Sequence, residues 1–411
     1  MSAIFTFLRT FFESKQTPSS GTSTKTTSVK QKSYPKQSTQ TPKQSAPAST
    51  PPPKQDKTQV TVYDCAGTAL QLIENNIVSS GREGTVYSLP KRDNVLIKLY
   101  NKPQIDNREK HQRNTERLRT MFKLLHKLNL GNCPKIPLAW PVMPVFDKNK
   151  TIIGFAMYKC EGVSFRAIGS IAGIKRYFPD WTRRELVLTA LDFVKKLRYL
   201  QKIGVQINDF NPSNFLVDRN CNVSFIDCDS FQIAEGNKIH VTNTFISSHC
   251  APELLKDKRL LDLPRNAHHL EFGAAIVIFN MLMCGLHPYA YHDPSQITAC
   301  GNPEENLLNG RCPLGVGAGC KFPVGNWYNL WSWTSHNVKG GFIRTFRDGH
   351  SNPAARTSLA DWEKYLHEMI VQMSKYPERT EIFPEQPNQN AIGSKRFRSG
   401  MSFSNNLQTS M

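Results

Sequence analysis

The sequence lacks the features that mark a membrane-spanning or secreted protein. No run of apolar residues is long enough to cross a bilayer. The start of the chain, MSAIFTFLRTFFES, has neither the charged opening, the apolar stretch nor the small-residue cleavage site of a secretory signal. The ten cysteines form no CxxC pair, and several stand in apolar segments, where a free thiol behaves as a small hydrophobic group. These absences predict a cytoplasmic protein whose cysteines are reduced.

Acidic residues are few relative to basic ones, and the 411-residue chain has a formal net charge of +19. This excess favours acidic partners such as nucleotide phosphates, nucleic acid or anionic lipid, but it carries no information about the fold. No nucleic-acid-binding motif accompanies the charge, so specific binding to nucleic acid is not expected. Ile4, Phe7, Leu8 and Phe11 share one helical face, which predicts at most a weak contact with a membrane surface or a partner.

Composition divides the chain into four parts. Residues 1–60, rich in Ser, Thr, Pro, Gln and Lys, cannot bury enough apolar surface to offset chain entropy, and we expect a disordered basic tail. Residues 61–160 contain short β-like runs and one charged helix, and residues 161–375 are mainly helical. Residues 376–411 are polar, and we expect them to be a flexible tail. Strands followed by helices predict an α+β fold of two lobes, a β-rich N-lobe and a helical C-lobe.

The clearest chemical pattern is INDFNPSNFLVDRNCNVSFIDCDSF, residues 207–231. Asp209 is followed five residues later by Asn214, and Asp227 closes an apolar run thirteen residues further on. Phosphoryl transfer requires a base for the acceptor hydroxyl and metal ligands beside the phosphates. The spacing therefore indicates that Asp209 is a catalytic base and that Asn214 and Asp227 bind a divalent metal.

A loop and a lysine suited to phosphate come earlier in the chain. The segment SSGREGTVYS contains Gly81 and Gly84, whose missing side chains let backbone amides approach a phosphate closely. The segment VLIKLY follows, with Lys98 as the only charge in an apolar strand. Each feature alone would also fit an ordinary hairpin turn or a charge on a strand edge. In this order they indicate a phosphate-binding loop and a phosphate-binding lysine.

These motifs give residues 75–370 a resemblance to the protein kinase superfamily. The chain looks most like a bacterial branch of kinase-like proteins found alongside protein phosphatases and von Willebrand A domain proteins. The resemblance implies a two-lobed kinase-like fold, ATP and Mg²⁺ (or Mn²⁺) as cofactors, and Ser/Thr hydroxyls of proteins as phosphate acceptors. It also implies a cognate protein phosphatase or von Willebrand A domain protein as a partner.

The resemblance assigns roles to individual residues. Asp209 would orient the acceptor hydroxyl, and Lys98 would hold the phosphates while paired with Glu116; Glu109 is another acid on the same helix. In GFAMYKCEG, Met157 would lie beside the adenine, and the backbone from Tyr158 to Cys160 would bind the base. The implied nucleotide-binding positions are Gly81, Gly84, Val86, Lys98, Glu116, Met157, Tyr158 and Cys160.

A second motif, HCAPELL, resembles the end of a kinase activation segment. Its Glu253 would form a structural ion pair with Arg356, late in the domain. The hydroxyls between Asp227 and Glu253 are either phosphorylation sites or ordinary loop hydroxyls. They are Thr242, Thr244, Ser247 and Ser248.

Several positions depart from the kinase pattern. Ser79 replaces the first loop glycine, Asn211 replaces a lysine beside the transferred phosphate, and His268 replaces a buried aspartate that holds the catalytic loop. Ile207 and Asn208 stand where His-Arg is usual. Cys228 and Asp229 stand where Phe-Gly is usual, and Asp229 either adds a carboxylate near the metal or caps a turn. The resemblance suggests that the DFNPSNFLVD and IDCDSF variants are characteristic of the bacterial branch.

Three functions are compatible with these residues. A Ser/Thr protein kinase is favoured because Lys98, Asp209, Asn214 and Asp227 are all present. A pseudokinase, a nucleotide-binding scaffold without turnover, is favoured by the departures. A small-molecule phosphotransferase of the aminoglycoside or choline kinase type shares the aspartate and asparagine spacing, but such enzymes generally lack a motif like that of Glu253.

Overall fold

The computed structural model describes residues 59–90, 92–128, 137–292, 299–300, 302–315, 318, 320–323, 325–377 and 380–388. The basic tail predicted for the first 60 residues lies almost wholly outside the described residues, and so does the chain after residue 388. Within the described part, a curled β-sheet forms the N-lobe and a mainly helical C-lobe follows. The predicted α+β fold of two lobes is confirmed.

The strands of the N-lobe are β1 (Gln59–Tyr63), β2 (Ala69–Ile73), β3 (Ile77–Ser80), β4 (Gly84–Leu89), β5 (Arg92–Tyr100), β6 (Pro141–Phe146) and β7 (Ile152–Tyr158). They form one antiparallel sheet in the order β2-β1-β6-β7-β5-β4-β3. Strand β5 pairs with β4 on one side and β7 on the other, so its backbone is held on both edges. Lys98 lies on this strand and therefore projects from a fixed position.

The described N-lobe helices are α1 (Lys102–Asp106) and α2 (Arg108–Leu128). The buried apolar residues of α2 recur at helical spacing and are Leu118, Met121, Leu124 and Leu128. Trp140, just before β6, donates its indole N–H to the backbone carbonyl of Met121 at 3.1 Å. This bond and the apolar face fix α2 against β6, and the helix also contacts two strands of the C-lobe, Gln232–Glu235 and Lys238–His240.

The C-lobe helices are α3 (Ile171–Tyr177), α4 (Arg183–Lys202), α5 (Pro252–Lys256), α6 (Ala267–Leu282), α7 (Pro303–Leu308), α8 (Asn326–Trp333), α9 (His336–Phe346) and α10 (Leu359–Met373). The short strands are β8 (Val163–Ser164), β9 (Val205–Gln206), β10 (Phe215–Val217), β11 (Val223–Phe225), β12 (Gln232–Glu235), β13 (Lys238–His240), β14 (Tyr291–His292) and β15 (Ala299–Cys300). They pair in the orders β11-β10-β8, β13-β12-β9 and β14-β15.

Helix α6 forms the centre of the C-lobe. Residues 270–279 of this helix are all buried, and they are apolar on every side apart from one glutamate. A helix with this composition is stable only when other elements surround it. None of the described helices, α6 included, is both long and apolar enough to cross a membrane.

An aromatic cluster supports the loop between β9 and β10. The ring centroid of Phe215 lies 5.1 Å from that of Phe193 on α4, 5.6 Å from Phe225 on β11 and 6.2 Å from Phe210. Tilted and edge-to-face contacts of this kind add to the free energy gained by burial. The cluster therefore holds the segment that carries Asp209.

Helix α6 supports the same loop through a close contact at Gly273. A Cβ atom at this position would lie 2.3 Å from Cδ2 of the Phe210 ring, closer than two such atoms can approach. The ring consequently lies directly on the backbone of α6. This contact fixes the position of Asp209, the residue before Phe210.

Residues 380–388 pack against the C-lobe. The backbone N–H of Arg183, at the start of α4, donates to the carbonyl of Thr380 at 2.8 Å. Asn329 on α8 donates its amide to the carbonyls of Pro384 and Glu385, at 2.9 and 2.8 Å. In the described part of the chain, the tail predicted from residue 376 thus includes a segment attached to two helices.

Candidate active site

A cleft separates the β3–β4 hairpin from the loop between β9 and β10. Its volume is about 1170 Å³, which exceeds the roughly 300–1,000 Å³ of typical small-molecule sites. The predicted site residues that line it are Gly81, Gly84, Val86, Lys98, Glu116, Asp209 and Asp227. The structure therefore brings residues of both lobes to one cavity.

The β3–β4 hairpin depends on its second glycine. A Cβ atom on Gly84 would lie 2.5 Å from the carbonyl oxygen of Leu99, so the close approach of β4 to β5 excludes any side chain there. The backbone N–H of Gly81 donates to the carbonyl of Gly84 at 2.9 Å and closes the turn. Ser79 pairs with Val86 directly after a register shift between Ile77 and Ser79, so the hairpin forms without the first glycine.

Lys98 binds two carboxylates. Its Nζ donates to Oδ1 of Asp227 at 2.5 Å and to Oδ1 of Asp229 at 2.7 Å. Burial alone would lower the pKa of Lys98, but the charges of Asp229 and Asp227 raise it above its ordinary value. Lys98 therefore stays protonated and keeps the charge needed to bind phosphate.

The predicted pairing of Lys98 with Glu116 is not found. Glu116 instead accepts hydrogen bonds from Lys238 on β13, at 2.7 Å, and from Gln112, at 3.1 Å. Successive residues of a helix point about 100° apart. On α2 the buried residue is Arg117, so its neighbour Glu116 points in a different direction. Glu116 consequently lies at the rim of the cleft and faces the β12–β13 hairpin.

Arg117 was not predicted to be a site residue, and Asp229 was expected either to add a carboxylate near the metal or to cap a turn, not to bind Lys98. The helical phase set by Leu118 and Met121 already places Arg117 close to the buried face of α2, and that periodicity was the available signal. No comparable signal existed for the pairing of Asp229 with Lys98. The two residues are 131 positions apart, and their contact depends on how the lobes meet.

Asp209 has one oxygen without a partner. Its Oδ2 accepts a hydrogen bond from the amide of Asn214 at 3.3 Å, whereas its buried Oδ1 has no hydrogen-bond partner among the described residues. Burial and the nearby charge of Asp227 raise the pKa of Asp209. A buried, unpaired carboxylate oxygen is costly unless a ligand supplies a donor. An acceptor hydroxyl would supply that donor.

Asn214 and Asp227 are adjacent at the end of β11. The backbone N–H of Ile226, next to Asp227, donates to the carbonyl of Asn214 at 2.9 Å. An amide and a carboxylate are the hard oxygen donors that Mg²⁺ prefers, and Mg²⁺ is commonly held by one or two protein groups together with phosphate oxygens. Among the described residues no three His, Cys, Asp or Glu side chains form a metal cage. The two residues therefore fit a metal ion whose remaining coordination positions are filled by phosphate oxygens.

The residues predicted to hold adenine lie where β7 ends and the chain passes to the C-lobe. Met157 is buried and pairs with Leu96 on β5, and the backbone N–H of Lys159 donates to the carbonyl of Asn94 at 2.9 Å. Burial raises the pKa of Cys160 to about 12, so its thiol stays protonated. Met157, Tyr158 and Cys160 thus form the connection between the lobes rather than the walls of the described cleft.

Asn211, in place of the loop lysine, organises its own turn. Its Oδ1 accepts a hydrogen bond from the backbone N–H of Ser213 at 3.0 Å and a longer one, of 3.4 Å, from the guanidinium of Arg166. Arg166 also donates through Nε to the hydroxyl of Ser213 at 2.8 Å. A cation from the segment after β8 therefore lies beside the loop that lost its lysine.

His268 makes no described hydrogen bond to the loop that carries Asp209. Its Nδ1 lies 2.9 Å from Oε2 of Glu271, which is the buried acid of α6, and its backbone carbonyl accepts from Arg356. The loop is held instead by the contact of Phe210 with Gly273 and by Asn208, whose amide donates to Thr242.

The predicted pairing of Glu253 with Arg356 is present in the structure, with two hydrogen bonds of 2.7 Å. Thr242, one of the candidate phosphorylation sites, is buried, and its hydroxyl donates to the carbonyl of Ser230 at 2.7 Å. A buried hydroxyl with this partner is not accessible to a modifying enzyme in the described conformation.

The β-sheet N-lobe and helical C-lobe form a two-lobed fold of the protein-kinase-like type. No family model matches the chain. The chain is 26% identical over 236 residues to "Protein kinase YegI" of Escherichia coli K12, covering 57% of this chain and 34% of that protein. It is 27% identical over 215 residues to the protein of the same name from E. coli O157:H7, covering 52% and 32%. The chain thus spans about a third of the length of these curated relatives. The likeness supports a protein-kinase-like family and kinase-type phosphoryl transfer.

Proposed function

We propose that the protein transfers the terminal phosphoryl group of ATP to Ser/Thr hydroxyls of proteins, with Mg²⁺ as cofactor. One observation carries the proposal. Asp209, with an unpartnered buried oxygen, lines the same cleft as Lys98 and Asp227, opposite a glycine hairpin. A base, a phosphate-binding cation and a metal ligand are the groups that phosphoryl transfer requires.

The residues divide the chemistry between them. The free oxygen of Asp209 accepts the proton of the acceptor hydroxyl. The hydroxyl oxygen meanwhile bonds to the terminal phosphorus, and the bond from that phosphorus to the ADP oxygen breaks. Lys98 binds the phosphates, and the backbone of the β3–β4 hairpin covers them. Asn214 and Asp227 would hold Mg²⁺, which neutralises charge on the phosphates when it is bound.

The ion pair of Glu253 with Arg356 supports a protein rather than a small molecule as the acceptor. It fixes the start of α5 to the segment before α10. In the kinase resemblance this pair belongs to protein kinases, and small-molecule phosphotransferases of the aminoglycoside or choline kinase type generally lack it.

The decisive experiment is transfer of label from γ-labelled ATP, with Mg²⁺, to the protein itself and to generic protein substrates. We expect labelling by the wild type, and labelling that is slower by about tenfold or more in Asp209→Asn and Lys98→Met. Asp147→Asn, a change in the β6–β7 turn that keeps the oxygen accepting from Asn149, is the matched control and should label normally.

Other results would identify a different function. ATP binding without transfer under any condition would indicate a pseudokinase. Labelling of choline or an aminoglycoside without labelling of protein would indicate a small-molecule phosphotransferase. Labelling at the wild-type rate in Asp209→Asn would refute the assignment of Asp209 as the base.

A further inference from the structure

We propose that Asp229, supported by Tyr100, is the positioning residue that holds Lys98 in the cleft, in place of a glutamate on α2. This role presupposes the phosphoryl transfer proposed above. It goes beyond that function by naming which buried group keeps the phosphate-binding lysine in position.

Both carboxylate oxygens of Asp229 are occupied. Oδ1 accepts from Nζ of Lys98 at 2.7 Å, and Oδ2 accepts from the hydroxyl of Tyr100 at 3.3 Å. Asp229 is only 2% exposed, and Tyr100 is also buried. A buried carboxylate with two protein donors is a fixed anchor.

Asp227, the other partner of Lys98, is placed differently. Its side chain is 35% exposed and lines the cleft, whereas that of Asp229 is 2% exposed and does not line it. A metal beside the phosphates would draw on the exposed oxygens of Asp227. Lys98 would then still be held by Asp229. In this arrangement Asp227 binds the metal and Asp229 positions the lysine.

Helix α2 supplies a cation where the kinase resemblance expects an acid. Arg117 is the charged residue of α2 that is buried toward the cleft, and the acid next to it, Glu116, binds Lys238. Burial and Asp229 raise the pKa of Glu83 on the β3–β4 hairpin, whereas Lys98 and Arg117 act in the opposite direction. The guanidinium of Arg117 donates to Asn114 at 3.0 Å, and no described hydrogen bond joins it to Asp229.

The turn that carries Asp229 is fixed by its own hydrogen bonds. The thiol of Cys228 donates to the carbonyl of Phe225 at 3.3 Å, and the hydroxyl of Ser230 donates to the carbonyl of Asp227 at 2.7 Å. Lys98 is thus anchored to the same turn that presents the metal ligand. A movement of α2 would not by itself release the lysine.

The test is a double-mutant cycle on steady-state transfer with Asp229→Asn, Lys98→Met and the double variant. If Asp229 acts through Lys98, each single variant lowers kcat/KM by about tenfold to a hundredfold. The double variant is then within about threefold of Lys98→Met alone, because the two effects are not additive. Tyr100→Phe, which removes only the second contact, should cost about two- to fivefold. Asp229→Glu, which keeps the charge, should recover part of the loss.

Glu363→Gln is the control, because it weakens the pair with Arg198 that joins α10 to α4, and neither residue lines the cleft. It should leave kcat/KM for the folded protein unchanged. The Mg²⁺ concentration for half-maximal rate should rise in Asp227→Asn and stay constant in Asp229→Asn. Additive losses in the cycle, or a raised Mg²⁺ requirement in Asp229→Asn, would overturn the assignment.

Failure of the proposed function is distinguishable from failure of this inference. If the wild type transfers no label, the proposed function fails, and the same cycle is measured as affinity for a fluorescent ATP analogue. Non-additive losses of affinity in Asp229→Asn and Lys98→Met would then still support the anchor. Unchanged affinity in Asp229→Asn, with loss in Lys98→Met, would refute it.

Discussion

Glu253 and Arg356 are joined by two hydrogen bonds of 2.7 Å although 103 residues separate them in the chain. The guanidinium of Arg356 also donates to the carbonyl of His268, and it lies 4.8 Å above the ring of Phe272. The side chain of Arg356 is fully buried. This one residue therefore connects α5, the start of α6 and the segment before α10.

Replacing this arginine should destabilise the C-lobe. Arg356→Met keeps the length of the side chain but leaves the carboxylate of Glu253 without its main partner. We expect the free energy of unfolding to fall by about 3–5 kcal/mol, the usual cost of breaking a buried pair. Denaturant unfolding provides the measurement. Arg259→Met, which breaks an exposed pair with Asp257, is the control and should not shift the midpoint; similar shifts in both variants would contradict the prediction.

The same pair predicts a dependence of stability on pH. Burial raises the pKa of Glu253, but hydrogen bonds from Arg356 and His269 outweigh it and bring the folded pKa to about 2, below the ordinary value of 4.5. A lowered pKa means that the stabilisation is complete above pH 4.5 and is lost as the pH falls toward 2. In denaturant unfolding at pH 6, 4 and 3, the stability gap between wild type and Glu253→Gln should therefore narrow. A constant gap would show that the charge of Glu253 contributes nothing.

Gly273→Ala should displace the catalytic loop. The new Cβ would overlap the ring of Phe210, and the shift would carry Asp209 away from the acceptor. We expect phosphoryl transfer to slow by about tenfold to a hundredfold, with a smaller change in nucleotide affinity. Rates and affinities of the purified variant would check this.

Two further variants make the Gly273 prediction specific. Phe210→Leu in the Gly273→Ala background removes the overlapping ring and should restore part of the rate. Gly340→Ala on α9 is the control, because its Cβ would meet only the end of the Arg344 side chain at 3.4 Å. A rate that is unchanged by Gly273→Ala would show that the contact does not position the loop.

Thr120→Val should loosen the contact between α2 and the β12–β13 hairpin. The buried Thr120 hydroxyl donates to Glu235 at 2.8 Å and lies 3.1 Å from Nε2 of His240. Valine has the same shape without the hydroxyl, so we expect a loss of about 1–2 kcal/mol in the free energy of unfolding and faster hydrogen exchange in β12 and β13. Thr61→Val, at an exposed position on β1, should change neither. Equal exchange rates in wild type and Thr120→Val would refute the prediction.

Local patterns predicted the order and type of most elements, because alternation and helical spacing are short-range signals. The strands around Lys98 and the apolar face of α2 follow directly from such patterns. The spacing of Asp209, Asn214 and Asp227 likewise predicts a loop followed by two strands, and the structure has β10 and β11 at those places.

The partner of Lys98 could not be obtained in this way. The apolar spacing of α2 indicates which residues face inward, Arg117 among them, but it does not indicate which group on another element Lys98 contacts. The contact between Lys98 and Asp229 depends on the packing of the two lobes across the cleft. The need for glycine at position 273 could not be predicted either, because it arises from the ring of Phe210, which lies on another element.

Asp227 has a left-handed backbone, with φ 58° and ψ 36°. Among residues with side chains, aspartate and asparagine tolerate this conformation best, and glycine adopts it freely. Under the proposed function this position therefore has two constraints, one from its backbone and one from the proposed metal-binding role of its carboxylate. If only the backbone constraint operated, Asn or Gly would serve here as well as Asp. Asp227→Asn consequently separates the chemical role from the structural one, whereas Asp227→Ala changes both.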